Sequence, residues 1–144
     1  MATISLCMIV KNESAVLARC LDSIADLMDE IIIVDTGSTD NTKEIAAQYT
    51  SRIYDFKWTS DFSAARNFSF SKATMEYIYT ADADEILDDA NRERFLRLKG
   101  ALLPEIEIVQ IFSVCICKAF YNNLLEPAFP FRAFSDVKNN WNNI

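Results

Sequence analysis

The chain contains no histidine. That absence removes imidazole as a general acid or base, rules out a Ser-His-Asp triad and excludes histidine-ligated zinc. Glycine is nearly as scarce, since Gly37 and Gly100 are the only two. Neither a Gly-x-Gly-x-x-Gly fingerprint nor a Walker-type loop can be drawn from them. Any phosphate must therefore be held by a metal, an arginine or a helix N-terminus. No apolar run approaches the about 20 residues needed to cross a bilayer. Residues 1–10 are apolar but lack a basic leader and a small-residue cleavage site, so they read as a β-strand rather than a signal peptide. No cysteines are spaced as Cys-x-x-Cys, although four are present: Cys7, Cys20, Cys115 and Cys117. Cys7 and Cys115 lie in apolar runs and read as buried free thiols. A disulfide framework is not expected in a chain of this size, which points to a reducing, cytoplasmic setting.

What is present suits a single α/β domain over residues 1–144. Hydrophobic residues make up 51% of the chain, enough for a core and too many for disorder. The formal net charge of −7 repels phosphate backbones and argues against nucleic-acid binding. Residues 4–10 form a near-continuous apolar run, as expected for a strand buried on both faces of a parallel sheet. Lys11-Asn12-Glu13-Ser14 breaks it. Ala15, Leu17, Ala18, Leu21, Ile24 and Leu27 then recur at roughly helical spacing. Residues 30–35 predict a second buried strand and residues 36–40 a turn. Asn41 and Glu44 resemble a capping box for a helix to about Tyr49. A short third strand is expected over residues 52–56, then a helix capped by Ser60 or Asp61 and running to about Lys72. Residues 76–80 predict a fourth strand ending in Ala81-Asp82-Ala83-Asp84-Glu85. Asp88 or Asp89 is expected to cap a helix to about Leu98, closed by Gly100 and Pro104. Residues 106–117 read as one long strand and residues 129–134 as another. The Asn-rich stretch 137–144 has no clear period.

Strands alternating with helices predict a mostly parallel sheet flanked by helices. In such sheets ligands bind beyond the carboxyl ends of the strands. Asn12 and Glu13, Asp35, Asp55, and Asp82 with Asp84 should therefore gather along one edge. Asp82 and Asp84, one residue apart in extended chain, would point the same way and share a hard cation through oxygen. Mn²⁺ or Mg²⁺ suits carboxylate plus diphosphate better than zinc does. An isolated Asp-x-Asp is more often a cap or a turn former; the apolar strand before it and the lack of a Gly-rich loop tilt the balance towards metal. Asp35 could accept from a ribose hydroxyl or a base N–H, or bond the amides of Gly37 and Ser38 as a turn residue. Arg66 could reach a diphosphate through its planar fork, or face solvent beside an acid. Asn67 could position a sugar or base group. Asn12 and Glu13 could line a nucleobase pocket, or serve as a helix-start signal. Trp58 and Phe62 could stack on a ring, although anchoring a loop is the commoner role.

Four stretches together resemble the family-two glycosyltransferases of the GT-A fold: residues 4–13, 29–42, 61–67 and 81–85. They occur in the family's order within roughly the first 90 residues. The resemblance implies transfer from an activated donor, most often a UDP-sugar, with inversion at the anomeric carbon. The nucleotide-sugar-binding set it implies is Val10, Asn12, Glu13, Asp35, Arg66 and Asp82. Of these Asn12, Glu13 and Asp35 would hold the uridine, and Arg66 would lie beside base and phosphates. Asp82 and Asp84 would form the metal–diphosphate pair. Residues 1–90 would be the donor-binding half and 91–144 a partial acceptor-side half, because family catalytic domains usually continue further. The carboxylate that deprotonates the acceptor is not identified; Asp136, late in the chain, matches no motif. The acceptor class (glycan, lipid or protein) stays open. An exposed sheet edge in a shortened fold would favour a homodimer. Two other readings remain. One is a nucleotidyltransferase, which typically needs a Gly-rich loop by its first strand. The other is a non-catalytic module that binds a nucleotide sugar or a partner protein.

Overall fold

A computed structural model describes residues 1–102, 108–111 and 114–118, with side chains for residues 1–102. Six strands form one sheet in the order β3-β2-β1-β4-β6-β5. β1 (Ile4–Val10) is central, with β2 (Glu30–Asp35) and β4 (Tyr77–Thr80) parallel on either side. β3 (Ile53–Asp55) continues the parallel set beyond β2. The apolar run of β1 is buried on both faces. Its one polar residue, Ser5, is satisfied internally: its hydroxyl donates to Glu30 Oε2 at 2.6 Å and accepts from the Met75 amide at 3.2 Å.

Side chains of alternating parity divide the core in two. On one face Ile4, Leu6, Met8 and Val10 pack with Leu17, Leu21 and Ile24 of helix α1 (Leu17–Ile24), Ala46 of α2 (Thr42–Ala46) and neighbouring Leu27. On the other, Cys7, Ile32, Val34 and Ile78 meet Phe68 and Phe70 of α3 (Phe62–Phe70). Phe95 of α4 (Asp89–Ala101) returns to the first face and packs edge-to-face on Tyr79 with centroids 5.3 Å apart. Helices thus cover both faces of the parallel sheet, as the alternation of elements predicts. Among the described residues no helix is long and apolar enough to cross a membrane.

Several element boundaries differ from expectation. The apolar stretch over residues 106–117 contains two strands, β5 (Ile108–Ile111) and β6 (Val114–Lys118), paired antiparallel. β6 also runs antiparallel to β4, whose four residues could not pair with a strand three times as long. Folding the run back gives its backbone groups partners that a single strand would leave unmet. The capping box of Asn41 and Glu44 does not form; the Asp40 carboxylate accepts from the Thr42 amide at 3.0 Å instead, and α2 ends at Ala46. Of the two candidate caps before α3, Asp61 serves, accepting from the Ser63 and Ala64 amides at 2.8 and 3.2 Å. Before α4 it is Asp88, accepting from Asn91. α4 passes through Gly100 rather than stopping there, because buried Lys99 and Leu102 keep its last turn against the core. The strand expected at residues 129–134, the Asn-rich stretch and Asp136 lie outside the described residues.

Lys99 is only 7% exposed. Its ammonium donates to the Leu27 carbonyl at 2.9 Å and to Asp29 Oδ2 at 2.6 Å, and that same oxygen accepts the Ile4 amide at 2.9 Å. The pair pins the end of α4 to the start of β1. Removing Asp29 leaves a buried cation short of its counter-ion, whereas removing the cation leaves no buried charge. Asp29→Ala should therefore lower unfolding free energy by about 2–3 kcal/mol and Lys99→Met by about 1 kcal/mol or less, as read by urea denaturation.

Candidate functional site

Parallel strands bring their carboxyl ends to one edge, and the register shows which residues meet there. Val10 pairs with Asp35, and Asp35 with Asp55, so three strand ends stand in one row. β4 stops earlier, with Thr80 opposite Cys7. Residues 81–84 then carry the chain on over the same edge.

Asp82 and Asp84 are exposed, while Ala81 and Ala83 between and before them are buried. The chain here is a turn rather than extended: the Glu85 amide donates to the Asp82 carbonyl at 3.1 Å, and the Asp82 amide to Glu85 Oε2 at 3.2 Å. Two alanine anchors on the core side still leave both carboxylates on the solvent side. On the core side Cys20 of α1 directs its thiol to the Asp82 carbonyl at 3.6 Å. Burial, and then the negative charges of Glu85, Asp84 and Asp82, push that thiol up to about 12. Burial raises the Tyr79 hydroxyl too, with help from Glu85.

Asp35 is 1% exposed. Its Oδ1 accepts the amides of Gly37 and Ser38 at 2.9 and 2.8 Å, the turn-forming role. Gly37, at φ 108°, takes a backbone conformation natural to glycine. Oδ2 is buried and has no hydrogen-bond partner. Burial alone would raise this carboxyl, but hydrogen bonds from Ser38 and Gly37 and the charge of Lys43 outweigh it and hold Asp35 below the usual carboxylate range. A buried, ionised oxygen with no donor is costly unless something supplies one. Lys43 also pairs with Asp55 at the end of β3.

Asn12 sits at φ 56°, a left-handed conformation that asparagine tolerates better than most residues. Its Oδ1 accepts the Thr39 amide at 2.8 Å, and its own amide donates to Ser38 Oγ at 2.9 Å. The Glu13 amide donates to Thr42 Oγ1 at 2.9 Å. Val10 is buried, and its carbonyl accepts the Thr36 amide at 3.0 Å. Val10, Asn12, Glu13 and Asp35 thus belong to one hydrogen-bonded loop system.

Arg66 arrives from the other face of the sheet. α3 runs against the strands: Arg52, at the amino end of β3, reaches the Lys72 carbonyl just past the helix. Its N-terminus therefore lies at the carboxyl edge, with half-buried Arg66 and exposed Asn67 in its second turn. Trp58 and Phe62 pack edge-to-face on each other with centroids 4.7 Å apart, which anchors the loop before α3, yet Phe62 stays 69% exposed. Among the described residues no hydrogen bond or ion pair joins the Asp82 and Asp84 carboxylates to the Asp35 system, and no group of three or more Asp, Glu, Cys or His residues could hold a metal by itself. Two exposed carboxylates fit a hard cation that takes its remaining oxygens from a diphosphate and water, and do not fit a closed protein cage. Sequence patterns do not reveal the roles of Ser14, Ser38, Asp40 and Thr42; Asp40 before Thr42 signals a helix start, but only folding shows that it spans two loops.

The four parallel strands β3-β2-β1-β4 flanked by helices, shared with the solved glycosyltransferase structures below, place the chain in the GT-A fold class. The sequence matches the family described as glycosyl transferase family 2 over residues 5–143, and the chain belongs to that family. It is 48% identical over 87 residues to a TPR repeat-containing protein of Synechococcus elongatus, covering 60% of this chain and 22% of that protein. It is 35% identical over 122 residues to the SPbeta prophage-derived glycosyltransferase SunS of Bacillus subtilis, covering 82% of this chain and 27% of that one. Among solved structures it resembles the glucosyl-3-phosphoglycerate synthase of Mycobacterium tuberculosis, with a TM-score of 0.61 and 26% identity over 76% of this chain and 44% of that chain. The same enzyme crystallised with Mn²⁺ and UDP-glucose matches with a TM-score of 0.52 and 27% identity over 59% of this chain and 34% of that chain. The chain spans about a quarter of the length of the two curated relatives named here.

The state of Cys20 gives a direct check on the packing beneath the Asp82–Asp84 turn. A thiol shifted up to about 12 is almost wholly protonated at pH 8, and only the thiolate reacts. In EDTA-containing buffer, Cys20 should resist iodoacetamide at pH 8 in the native protein and react freely in urea, as followed by peptide mass mapping. Native labelling at the rate of a free thiol would contradict the burial described.

Proposed function

We propose that residues 1–90 form the donor-binding half of a glycosyltransferase that moves a sugar from a UDP-sugar to an acceptor hydroxyl, with inversion at the anomeric carbon and a divalent cation, Mn²⁺ or Mg²⁺. The observation that carries this reading is the pair of exposed carboxylates, Asp82 and Asp84, held on one side of a turn by buried alanines at the sheet edge that also holds Asp35.

On this reading the partnerless Oδ2 of Asp35 accepts the imide N–H of uracil, which turns a costly orphan into a satisfied pair. Val10 forms the apolar floor beneath the base, and the loop of Asn12 and Glu13 its rim. Arg66 offers its guanidinium fork to base and phosphates from the α3 side. Asp82 and Asp84 take the diphosphate through the cation. When bound, the cation supplies positive charge against the charge that develops on the leaving nucleoside diphosphate. Attack by the acceptor hydroxyl on the face opposite that leaving group accounts for inversion. The UDP and UDP-glucose complexes of the mycobacterial synthase support the choice of nucleotide and metal.

Calorimetric titration of UDP tests this. Binding should strengthen when Mn²⁺ is added, and Asp84→Ala should weaken it by about tenfold or more while abolishing the metal dependence, a loss of about 1.4 kcal/mol. No detectable UDP binding, or binding indifferent to both metal and substitution, would overturn the reading.

A further inference from the structure

Three consecutive backbone amides after β1 all donate across to side chains of the next loop. The Asn12 amide meets Ser38 Oγ at 2.9 Å, the Glu13 amide Thr42 Oγ1 at 2.9 Å, and the Ser14 amide Asp40 Oδ2 at 3.2 Å. The acceptors are linked in turn. The Thr42 hydroxyl, fully buried, donates to Asp40 Oδ1 at 2.5 Å, and that oxygen also takes the Thr42 amide. Ser38 uses its hydroxyl for Asn12 and its amide for Asp35 Oδ1. Hydrogen bonds therefore link Asp40 through Thr42 to Glu13 and, one peptide unit back along the chain, Asn12 through Ser38 to Asp35. They end at a carboxylate whose second oxygen is buried and partnerless.

We propose that Asp40 and Thr42 are positioning residues for nucleotide binding: they lock the loop after β1 to the loop after β2 and so hold Asp35 in its receptive geometry before the nucleotide arrives. This rests on the donor-site reading above. Neither residue needs to touch the ligand. Asp40 serves two loops because a carboxylate accepts at both oxygens. One oxygen caps its own helix at Thr42; the other captures Ser14. Asparagine keeps one acceptor and turns the other position into a donor, so Asp40→Asn preserves the local cap and sets an NH₂ group against the Ser14 amide. Thr42→Val keeps shape and volume but removes the hydroxyl that joins Asp40 to Glu13. Untied loops must be ordered on binding, and that cost falls on association.

The test uses the full chain with UDP and Mn²⁺ as probe. Hydrogen exchange at the Glu13 and Ser14 amides, without ligand, should quicken in Asp40→Asn and Thr42→Val. In both, the UDP Kd should rise about five- to tenfold, mostly through slower association. Asp26→Asn, which weakens the ion pair with Arg92 just past the C-terminal end of α1, serves as a control with unchanged Kd. If the two loop variants exchange faster yet bind UDP as the wild type does, or if the control loses as much affinity as they do, the lock is structural only and the inference fails. If the wild-type chain itself shows no UDP binding, the donor-site reading fails instead.

Discussion

The structure depends on β1 having no face left for water. Ile4, Leu6, Met8 and Val10 fill one side, and Cys7 with its neighbours Ile32, Val34 and Ile78 the other. A strand apolar on both faces must be covered on both, and short connections achieve this by laying helices across a parallel sheet. Parallel strands then end at a common edge. The placement of the candidate site follows from that packing requirement, because it gathers the acids that end β2 and β3 and those that follow β4.

The edge concentrates polar groups that the core would reject. Asp35 is buried and ionised but only half satisfied. Burial, and then the charges of Glu85, Asp84 and Asp82 crowded over a turn, raise the Cys20 thiol beneath them. Such conflicts between local cost and global order are where a fold carries its function. The costs are offset elsewhere, by the Leu and Ile packing between α1 and β1. A hydrogen-bond donor would relieve the orphaned oxygen of Asp35, and a cation the crowded charge of Asp82 and Asp84, which is what the proposed donor site would bring.

Much of this was legible in the residues. Period and composition located the first four strands, since buried parallel strands leave continuous apolar runs. Asp82, Asp84 and Asp35 were legible as acids at strand ends, beside so few glycines and no histidine, although the extended chain expected between Asp82 and Asp84 is a turn in the structure. Family membership bears out the resemblance carried by the four short stretches. Boundaries were harder. The run over residues 106–117 has strand character throughout, and nothing local shows that its partner β4 is only four residues long. Gly100 looks like a stop signal until Lys99 finds Asp29, 70 residues away.

The linear chain by itself therefore determined the alternation of strands and helices, the parallel sheet and the identity of its edge acids, because these rest on short-range periodicity and side-chain chemistry. Only tertiary structure decided how the acids are used: that Asp35 keeps one oxygen unpaired, that Asn12 spends its side chain on Thr39, and that Asp40 bridges two loops. The reason is physical. A hydrogen bond between residues 14 and 40 has no signature in either segment, since each donor and acceptor could equally well face water until the sheet brings the loops together.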